Sequence, residues 1–261
     1  MFQTSLRAGF IAVLAGALLV GGCSRSNDSS NITTQSIGQS GQVTDAQRRQ
    51  VSRLAERHRR NPEDPEAAFA YASGLEAIGQ GAQALAVLRR TSGARPNDAR
   101  LASAFGRALV RQGEFEDGLE ALQRAEQGGA ADRRTLAAQG AALDQLGRHD
   151  EAQARYRRAL EGAPDDPNLL ANLGLSLALS RQIDEAESVL RRAAQQPGAN
   201  ERVRQNLALV LGLQGKFDEA KEVARRDLDD DAASASIAYL RQMRTEPDRW
   251  QEIKQHDGQS S

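Results

Sequence analysis

The chain has 261 residues, and its 34 Lys and Arg residues nearly balance its 35 Asp and Glu residues, which leaves a formal net charge of −1. With no run of Lys and Arg interleaved with aromatic residues, this balance excludes the composition typical of nucleic-acid-binding proteins. The single cysteine excludes a disulfide within the chain, and one cysteine with three scattered histidines offers no zinc-ligand spacing.

Residues 1–22 have the pattern of a signal peptide. Arg7 is followed by an apolar run of 13 residues, Ala8–Val20, and then by two glycines. This run is too short to span a bilayer, which takes about 20 apolar residues. We therefore predict an export signal that is absent from the mature chain.

Cys23 lies where that signal would be cleaved. The sequence Val-Gly-Gly-Cys at 20–23 resembles the lipoprotein box of bacteria, an aliphatic residue and two small residues before a cysteine. The resemblance implies removal of residues 1–22 and lipidation of Cys23. Loss of Arg7 would change the net charge from −1 (34 basic, 35 acidic) to −2 (33 basic, 35 acidic). The alternative is an ordinary signal peptide beside a chance cysteine.

Residues 23–42 are predicted to form a lipidated tether. Ser, Asn, Gln, Thr and Gly dominate residues 24–42, a composition that cannot build a core. A flexible chain of this length spans about 25 Å on average. The lipoprotein resemblance also implies that Ser24, rather than Asp, after the lipidated cysteine directs the chain to the outer membrane, facing the periplasm.

Residues 65–234 repeat at a period of 34 residues, in five units at 65–98, 99–132, 133–166, 167–200 and 201–234. A leucine column, two columns of Ala or Gly and a column with four glycines define the period. These columns are Leu75, Leu109, Leu143, Leu177 and Leu211; Ala72, Gly106, Gly140, Gly174 and Ala208; Ala84, Gly118, Ala152, Ala186 and Ala220; and Gly79, Gly113, Gly147, Arg181 and Gly215.

Each repeat is predicted to form a helix, a turn and a second helix. The glycine column marks the turn, because glycine adopts the left-handed conformation at a helix C-terminus without steric cost. An acidic pair follows the turn in repeats two to five, where it would lie at the positive end of the second helix. The small columns indicate where the two helices approach closely.

These residues resemble the tetratricopeptide repeat (TPR) family, whose period is also 34 residues. Repeat three matches the family pattern with Gly140, Ala152, Tyr156, Ala159 and Pro164. The resemblance implies an all-α fold, a right-handed superhelical TPR solenoid of stacked helix hairpins. No repeat has the family's tryptophan in its first helix. Repeat five has Arg204 in that column, so we expect it to be rotated or frayed.

The repeat phase extends beyond both ends of the array. Residues 43–64 are predicted to hold a capping helix over Thr44–Arg60, and residues 235–261 a second capping helix and a tail. The second cap, which begins at about 232, has apolar residues at helical spacing: Ile237, Leu240 and Met243. A solenoid needs such caps because its end repeats expose an apolar face. We interpret Trp250 as an anchor packed on the last helix, with a free binding motif as the alternative.

The TPR resemblance implies that the first helices line a concave face that binds an extended or helical peptide. The residues that we predict to contact a partner lie in the first helices of repeats two to five. They are Arg107, Arg134, Asn172, Leu175, Leu179, Gln205, Asn206, Leu209 and Leu213. The first half of this face is cationic, and the second half carries amides and leucines.

Asn172 and Asn206 lie 34 residues apart, in the column where peptide-binding members of the family have an asparagine that holds the ligand backbone. Asparagine is less favourable than alanine inside a helix by about 0.6 kcal/mol, so two asparagines in one column indicate a use. The alternative is that both are tolerated solvated positions. The leucines are either buried by the helix packing or exposed for a partner.

The sequence offers little for catalysis. His58, His149 and His256 are scattered, and His149 occupies a column that is otherwise apolar. There is no Gly-rich phosphate loop and no GxSxG motif. The acidic pairs recur in four repeats, which favours helix starts over acid-base chemistry. We predict no enzyme activity, no cofactor, no metal and no small-molecule substrate.

The C-terminal third resembles a narrower family. The segment NLALVLGLQGKFDEAKEVARRDL at 206–228, followed by AYLRQM at 238–243, is similar to the end of the lipoproteins that assemble the tight-adherence (Tad, Flp-type) pilus. This implies an outer-membrane adaptor that helps place the secretin channel, with the secretin or other pilus-assembly proteins as partners. The alternatives are a TPR scaffold of another envelope machine, for outer-membrane protein insertion or cell-wall hydrolysis, and a periplasmic holdase chaperone.

Overall fold

A computed structural model describes residues 43–245, with side chains to residue 242. The predicted signal peptide, Cys23, the tether, Trp250 and His256 lie outside this range. Every regular element within the range is an α-helix, in agreement with the predicted fold class. The helices are α1 Asp45–Arg60, α2 Pro65–Ala77, α3 Gly81–Ala94, α4 Ala99–Arg111, α5 Phe115–Gln127, α6 Arg133–Gln145, α7 His149–Glu161, α8 Pro167–Leu179, α9 Ile183–Gln195, α10 Glu201–Gln214, α11 Phe217–Ala224 and α12 Asp230–Thr245.

The described chain forms two compact units. The N-terminal unit contains residues 43–131 and 145–147, and the C-terminal unit contains residues 132–144 and 148–245. Within each unit, consecutive helices pack as antiparallel neighbours, α2 on α3 and α4 on α5 in the first, and α8 on α9 and α10 on α11 in the second. Each unit is therefore built from helix hairpins.

The first helix of every repeat begins after a side-chain cap that recurs every 34 residues. Asp64, Asp98, Asp166 and Asn200 each accept a hydrogen bond from a backbone N–H two or three residues later. Asp132 does the same with the N–H of Thr135, at 2.7 Å. Such caps satisfy backbone donors that have no partner within the helix. This column defines the repeat boundary, and our sequence analysis did not identify it.

The second helices begin without a side-chain cap, and acidic residues take its place. Gln80, Glu114, Arg148, Gln182 and Lys216 precede these helices and make no capping hydrogen bond. In repeats two to five the predicted acidic pair lies in the first turn. Negative charge there interacts favourably with the exposed N–H groups of the helix end.

The predicted left-handed turn is confirmed in all five repeats. Gly79, Gly113, Gly147 and Gly215 have φ between 74° and 84°. Arg181 adopts the same conformation with φ 66°, and it is the only residue other than glycine with positive φ in the described range. Since a side chain in this region is crowded by the following carbonyl, Arg181 carries backbone strain that the hairpin imposes.

Glycine in the small columns lets the two helices of a hairpin touch. A Cβ atom on Gly106 would lie 2.7 Å from Leu122 Cγ and 2.9 Å from the carbonyl oxygen of Gly118. On Gly174 it would lie 2.5 Å from Leu190 Cγ. These distances are shorter than any normal carbon contact, so a larger residue would push against backbone at Gly106 and against the Leu190 side chain at Gly174.

The two end helices cover apolar surface of the hairpins beside them. In α1, Val51 and Leu54 pack over Gly74 of α2, where a Cβ atom would lie 3.2 and 3.0 Å from them. In α12, Ile237 is buried and Leu240 packs over Gly212 of α10. Both helices therefore bury the faces that a terminal repeat would expose.

Repeat five departs from the others in its second helix. Helix α11 has 8 residues, against 13 in α5, α7 and α9. Arg204 replaces an apolar residue in α10 and binds Asp227, which follows α11, with its Nε 2.6 Å from Asp227 Oδ2. It also donates to the carbonyl of Ala199 at 2.9 Å. This paired arginine occupies the column where the TPR family has tryptophan, and the chain leaves the helix just before Asp227.

The C-terminal unit contains a buried polar cluster centred on Asp144, which is 7% exposed. Asp144 accepts hydrogen bonds from Ser176 Oγ at 2.6 Å and Tyr156 Oη at 3.1 Å. His149 Nδ1 lies 2.9 Å from the same carboxylate. The cluster joins α6, α7 and α8, and His149 is a packing residue within it.

The environment of the cluster favours the protonated forms of its acidic groups. Burial raises the pKa of Asp144 above its ordinary value of 3.8, and the hydrogen bonds from Ser176, His149 and Tyr156 oppose this shift. Burial and the neighbouring carboxylate also raise the pKa of Tyr156. Tyr156 therefore acts as a neutral donor to Asp144.

Alanine should destabilise the chain at the crowded position Gly106 and should not do so at the open position Gly93. Gly106→Ala should lower the free energy of unfolding by about 1–3 kcal/mol, because the new methyl group meets backbone as well as Leu122. Gly93→Ala is the matched control, since a Cβ atom at Gly93 in α3 meets nothing within 4 Å. It should leave stability unchanged or raise it by up to about 1 kcal/mol. Chemical denaturation measures both, and equal effects would contradict the packing argument.

Two substitutions of Asp144 separate its hydrogen bonds from its charge. Asp144→Ala leaves buried donors without a partner and should cost about 1–3 kcal/mol. Asp144→Asn keeps an acceptor and carries no charge, so at neutral pH it should be at least as stable as the natural chain. A raised carboxyl pKa gives stability that is present below pH 3.8 and is lost as pH rises through the raised value. Denaturation over this pH range should show that loss in the natural chain and not in Asp144→Asn. If both variants were equally destabilised, the ionised carboxylate would be the stabilising form.

Candidate functional site

Helices α8 and α10, the first helices of repeats four and five, pack against each other in the C-terminal unit. Each carries an asparagine followed by leucines three and seven residues later, a spacing that places all three on one face of a helix. We call these six residues the amide–leucine face: Asn172, Leu175, Leu179, Asn206, Leu209 and Leu213. Each residue of α8 has its counterpart in α10 34 positions later, so the face consists of two matching rows.

The two asparagines of this face are half-buried, and their side-chain amides make no hydrogen bond to any other described residue. Other amides on the same helices are engaged. Asn200 donates to Asn168 at 3.1 Å, and Gln205 donates to Glu201 at 2.7 Å. Asn172 and Asn206 therefore retain free donors and acceptors beside apolar side chains, where a hydrogen bond to a ligand is stronger than in open water.

The leucines of the face are only partly covered. Leu175, Leu179 and Leu209 are half-buried, and Leu213 is 44% exposed. Leu213 and Tyr239 are the only large hydrophobic residues of the described chain that are this exposed. Of the two alternatives for these leucines, partial exposure favours contact with a partner over a role confined to the core.

The predicted cationic residues are less available than the sequence suggested. Arg107, in α4 of the N-terminal unit, is half-buried, and its Nε lies 3.3 Å from the carbonyl of Ser103. In the same helix Arg100 is 2.9 Å from Glu66 and lies over the ring of Phe69. Arg134 is exposed near the start of α6. The three arginines are assigned to two units, and only the amide and leucine residues form a contiguous face.

Ion pairs hold the second helix of one repeat against the repeat that follows. In the C-terminal unit Glu187 of α9 accepts from Lys216 Nζ at 2.7 Å and from Arg191 Nε at 2.9 Å. These partners lower the pKa of Glu187 to about 2, with Lys216 as the largest cause. Such pairs account for much of the arginine-rich surface, and they have a structural rather than a ligand-binding character.

The described residues offer no arrangement that resembles a reaction centre. They contain no group of three or more His, Cys, Asp or Glu residues placed to hold a metal ion. Ser176, the hydroxyl nearest to a carboxylate and a histidine, is 0% exposed, so no substrate can reach it. None of the helices between residues 43 and 245 is long and apolar enough to cross a membrane.

Sequence reasoning missed the Asp144 cluster, although a signal was present. Tyr156 is the one aromatic residue of its column, Asp144 is acidic in a column that is otherwise acidic only in repeat one, and both lie in repeat three. The equivalents of Tyr156 are Leu88, Leu122, Leu190 and Ala224, and those of Asp144 are Glu76, Val110, Ala178 and Gly212. Two coincident polar departures on facing helices of one hairpin predict a hydrogen bond between them.

Comparisons with known proteins agree with this architecture. The profile of the tetratricopeptide repeat family matches residues 103–152 and 137–200. No curated protein matches the sequence. Three solved structures have a similar fold, and because they are only 16–20% identical to this chain, the likeness is one of fold alone.

The first is YrrB, described as a TPR protein with an unusual peptide-binding site, which is 18% identical with a TM-score of 0.54 over 71% of this chain and 98% of its own. The second is a thermophilic TPR protein of Thermus thermophilus, TTC0263, 20% identical with a TM-score of 0.56 over 67% of this chain and 97% of its own. The third is a chain in the structure of the APC/C hetero-tetramer Cut9–Hcn1, 16% identical with a TM-score of 0.63 over 74% of this chain and 39% of the matched one.

Proteins of this fold are in general non-catalytic scaffolds that bind protein partners. Residues 103–200 are therefore tetratricopeptide repeats, the described chain has the all-α fold of a TPR array, and its repeats imply a role in protein–protein interaction.

Proposed function

We propose that this chain is a lipid-anchored adaptor of the bacterial outer membrane that binds an extended peptide segment of a partner protein at the amide–leucine face. The observation that carries the proposal is the pair of unsatisfied asparagines, Asn172 and Asn206, beside partly exposed leucines on two packed helices. The peptide-binding site named for YrrB gives this use of a TPR array a precedent.

The chemistry of the face fits a peptide backbone with apolar side chains. An asparagine amide can accept a hydrogen bond from a backbone N–H and donate one to a backbone C=O. Each asparagine can therefore bind both polar groups of the ligand backbone. Matching rows on α8 and α10 present this group twice along the array. The leucines supply apolar contact between these points, which gives preference for ligands with aliphatic or aromatic side chains.

The cellular setting is inferred from the sequence. The lipoprotein box at Cys23 and the Ser24 that follows support anchoring in the outer membrane, with the repeats in the periplasm. The similarity of 206–228 and 238–243 to Tad pilus-assembly lipoproteins supports a role in placing the secretin of that apparatus. A secretin or another pilus-assembly protein is then the source of the bound segment.

Peptide binding can be tested with a displayed library of random linear peptides selected on the chain from residue 23 with Cys23→Ser. Replacing Asn172 and Asn206 together by alanine should weaken binding of a selected peptide about tenfold or more, since each lost hydrogen-bonded pair contributes about 0.5–1.5 kcal/mol. The thermal midpoint should not fall, because neither side chain has a partner among the described residues.

The matched control replaces Asn61 and Asn97, two exposed asparagines of the N-terminal unit. This double variant should bind the peptide as tightly as the chain without these substitutions. Equal affinities for the Asn172/Asn206 and Asn61/Asn97 variants would reject the amide–leucine face as the binding site.

The pathway is tested in the cell with the Cys23→Ser substitution. If the chain places a secretin, this change should reduce the secretin multimers in the outer membrane, and capture from envelope fractions should retain pilus-assembly proteins. Retention of insertion-machinery or hydrolase subunits with normal secretin would favour another envelope machine. Broad suppression of aggregation of unrelated unfolded proteins would favour the holdase.

A further inference from the structure

Helix α1 presents a row of arginines on the face opposite the one that packs on α2. Arg49, Arg53, Arg57 and Arg60 are spaced by four, four and three residues, which places them in one stripe along the helix. The opposite side of α1 carries Val51, Leu54, Ala55 and His58, all of them at least half-buried. The stripe therefore points away from the array.

Three of the four arginines of this row have no partner among the described residues. Arg49, Arg53 and Arg60 are exposed and form no ion pair or hydrogen bond with any other described residue. Arg57 approaches Asp64 only to 3.9 Å. Two exposed arginines elsewhere in the N-terminal unit show the alternative, because Arg89 pairs with Glu114 and Arg100 with Glu66, both at 2.9 Å.

Helix stability does not explain the row. Basic residues in the last turn interact favourably with the C-terminal end of a helix, and this accounts for Arg57 and Arg60. Arg49 and Arg53 lie in earlier turns. Like charges four residues apart repel one another and weaken a helix, and neither Arg49 nor Arg53 has a described partner that would offset this cost.

We propose that the arginine row of α1 binds the phosphates of an anionic membrane surface and holds the first helix of the array against the bilayer. The row is straight and extends over about 16 Å, at about 1.5 Å per residue, so its guanidinium groups can reach several headgroups in one plane. Part of it, Arg53, Arg57 and Arg60, lines a surface pocket of about 430 Å³ together with Glu56, Asn61 and Asp64. Guanidinium groups bind phosphate oxygens through paired hydrogen bonds.

The position of α1 in the chain favours a membrane over other anionic partners. It is the first helix after the tether, and the inference rests on the proposed lipid at Cys23 for bringing it within about 25 Å of the bilayer. Without residues 1–22 the chain has 33 basic and 35 acidic residues, a net charge of −2. Attraction to an anionic surface must therefore be local to this row. The face carries no aromatic side chain on which a nucleic-acid base could stack.

Vesicle binding tests the proposal without the lipid anchor. The chain from residue 23 with Cys23→Ser is mixed with vesicles of phosphatidylglycerol and phosphatidylcholine, or of phosphatidylcholine alone, and sedimented over a lipid titration into the millimolar range. Binding should occur only to the anionic vesicles and should weaken as salt is added, because salt screens exposed charges.

Two triple variants remove the same charge from different places. Arg49→Gln, Arg53→Gln and Arg60→Gln together should weaken binding to anionic vesicles about tenfold or more. The matched control replaces Arg133, Arg202 and Arg226 by Gln, which are exposed and lie outside α1. This control variant should bind anionic vesicles as tightly as the chain that keeps all of its arginines. The thermal midpoint of the α1 variant should be unchanged or higher, which shows that the helix remains folded.

Equal binding to neutral vesicles, or equal loss in the two triple variants, would overturn the proposal. So would preferential binding to a single-stranded oligonucleotide or a polyglutamate peptide over anionic vesicles at the same salt concentration. The assay uses unlipidated protein and no peptide. A negative result would therefore reject membrane binding by the arginine row without testing the Cys23 anchor or the amide–leucine face.

Discussion

Close contact between the two helices of a hairpin is the constraint on which the rest of the structure depends. At Gly106 and Gly174 the neighbouring helix leaves no room for a Cβ atom. This contact sets the angle and distance of the two helices, so that leucines at fixed positions meet in the core. The short turn between the two helices then requires one residue in the left-handed conformation. The chain keeps that conformation even at Arg181.

Repetition of the hairpin explains how a surface with two equal rows can arise. Residues 34 apart occupy the same position on neighbouring first helices, so Asn172 and Leu175 in α8 are matched by Asn206 and Leu209 in α10. The core needs none of the polar groups in these rows. They can therefore vary with the ligand while the hairpin contacts stay unchanged, which is how a scaffold carries a binding site.

The fold was largely readable from the sequence, because small, leucine and glycine columns recur at a constant period and each has a single geometric reason. The Asp144 cluster was not, since it depends on a carboxylate, a phenol and a hydroxyl that are 12 and 32 residues apart and meet only once three helices pack. The capping column from Asp64 to Asn200 was overlooked although it is periodic. For the site, the sequence indicated the face but not which amides are already engaged, because the pairing of Gln205 with Glu201 depends on rotamers.

The central claim is that a partner segment lies on the amide–leucine face. Photo-crosslinking in intact cells tests this most directly, with a photoreactive amino acid at position 213 on that face or, for comparison, at the exposed position 195 in α9. The account predicts a discrete crosslinked partner from position 213 and none from position 195. Crosslinks of equal yield from both positions, or a discrete product from position 195 alone, would contradict it.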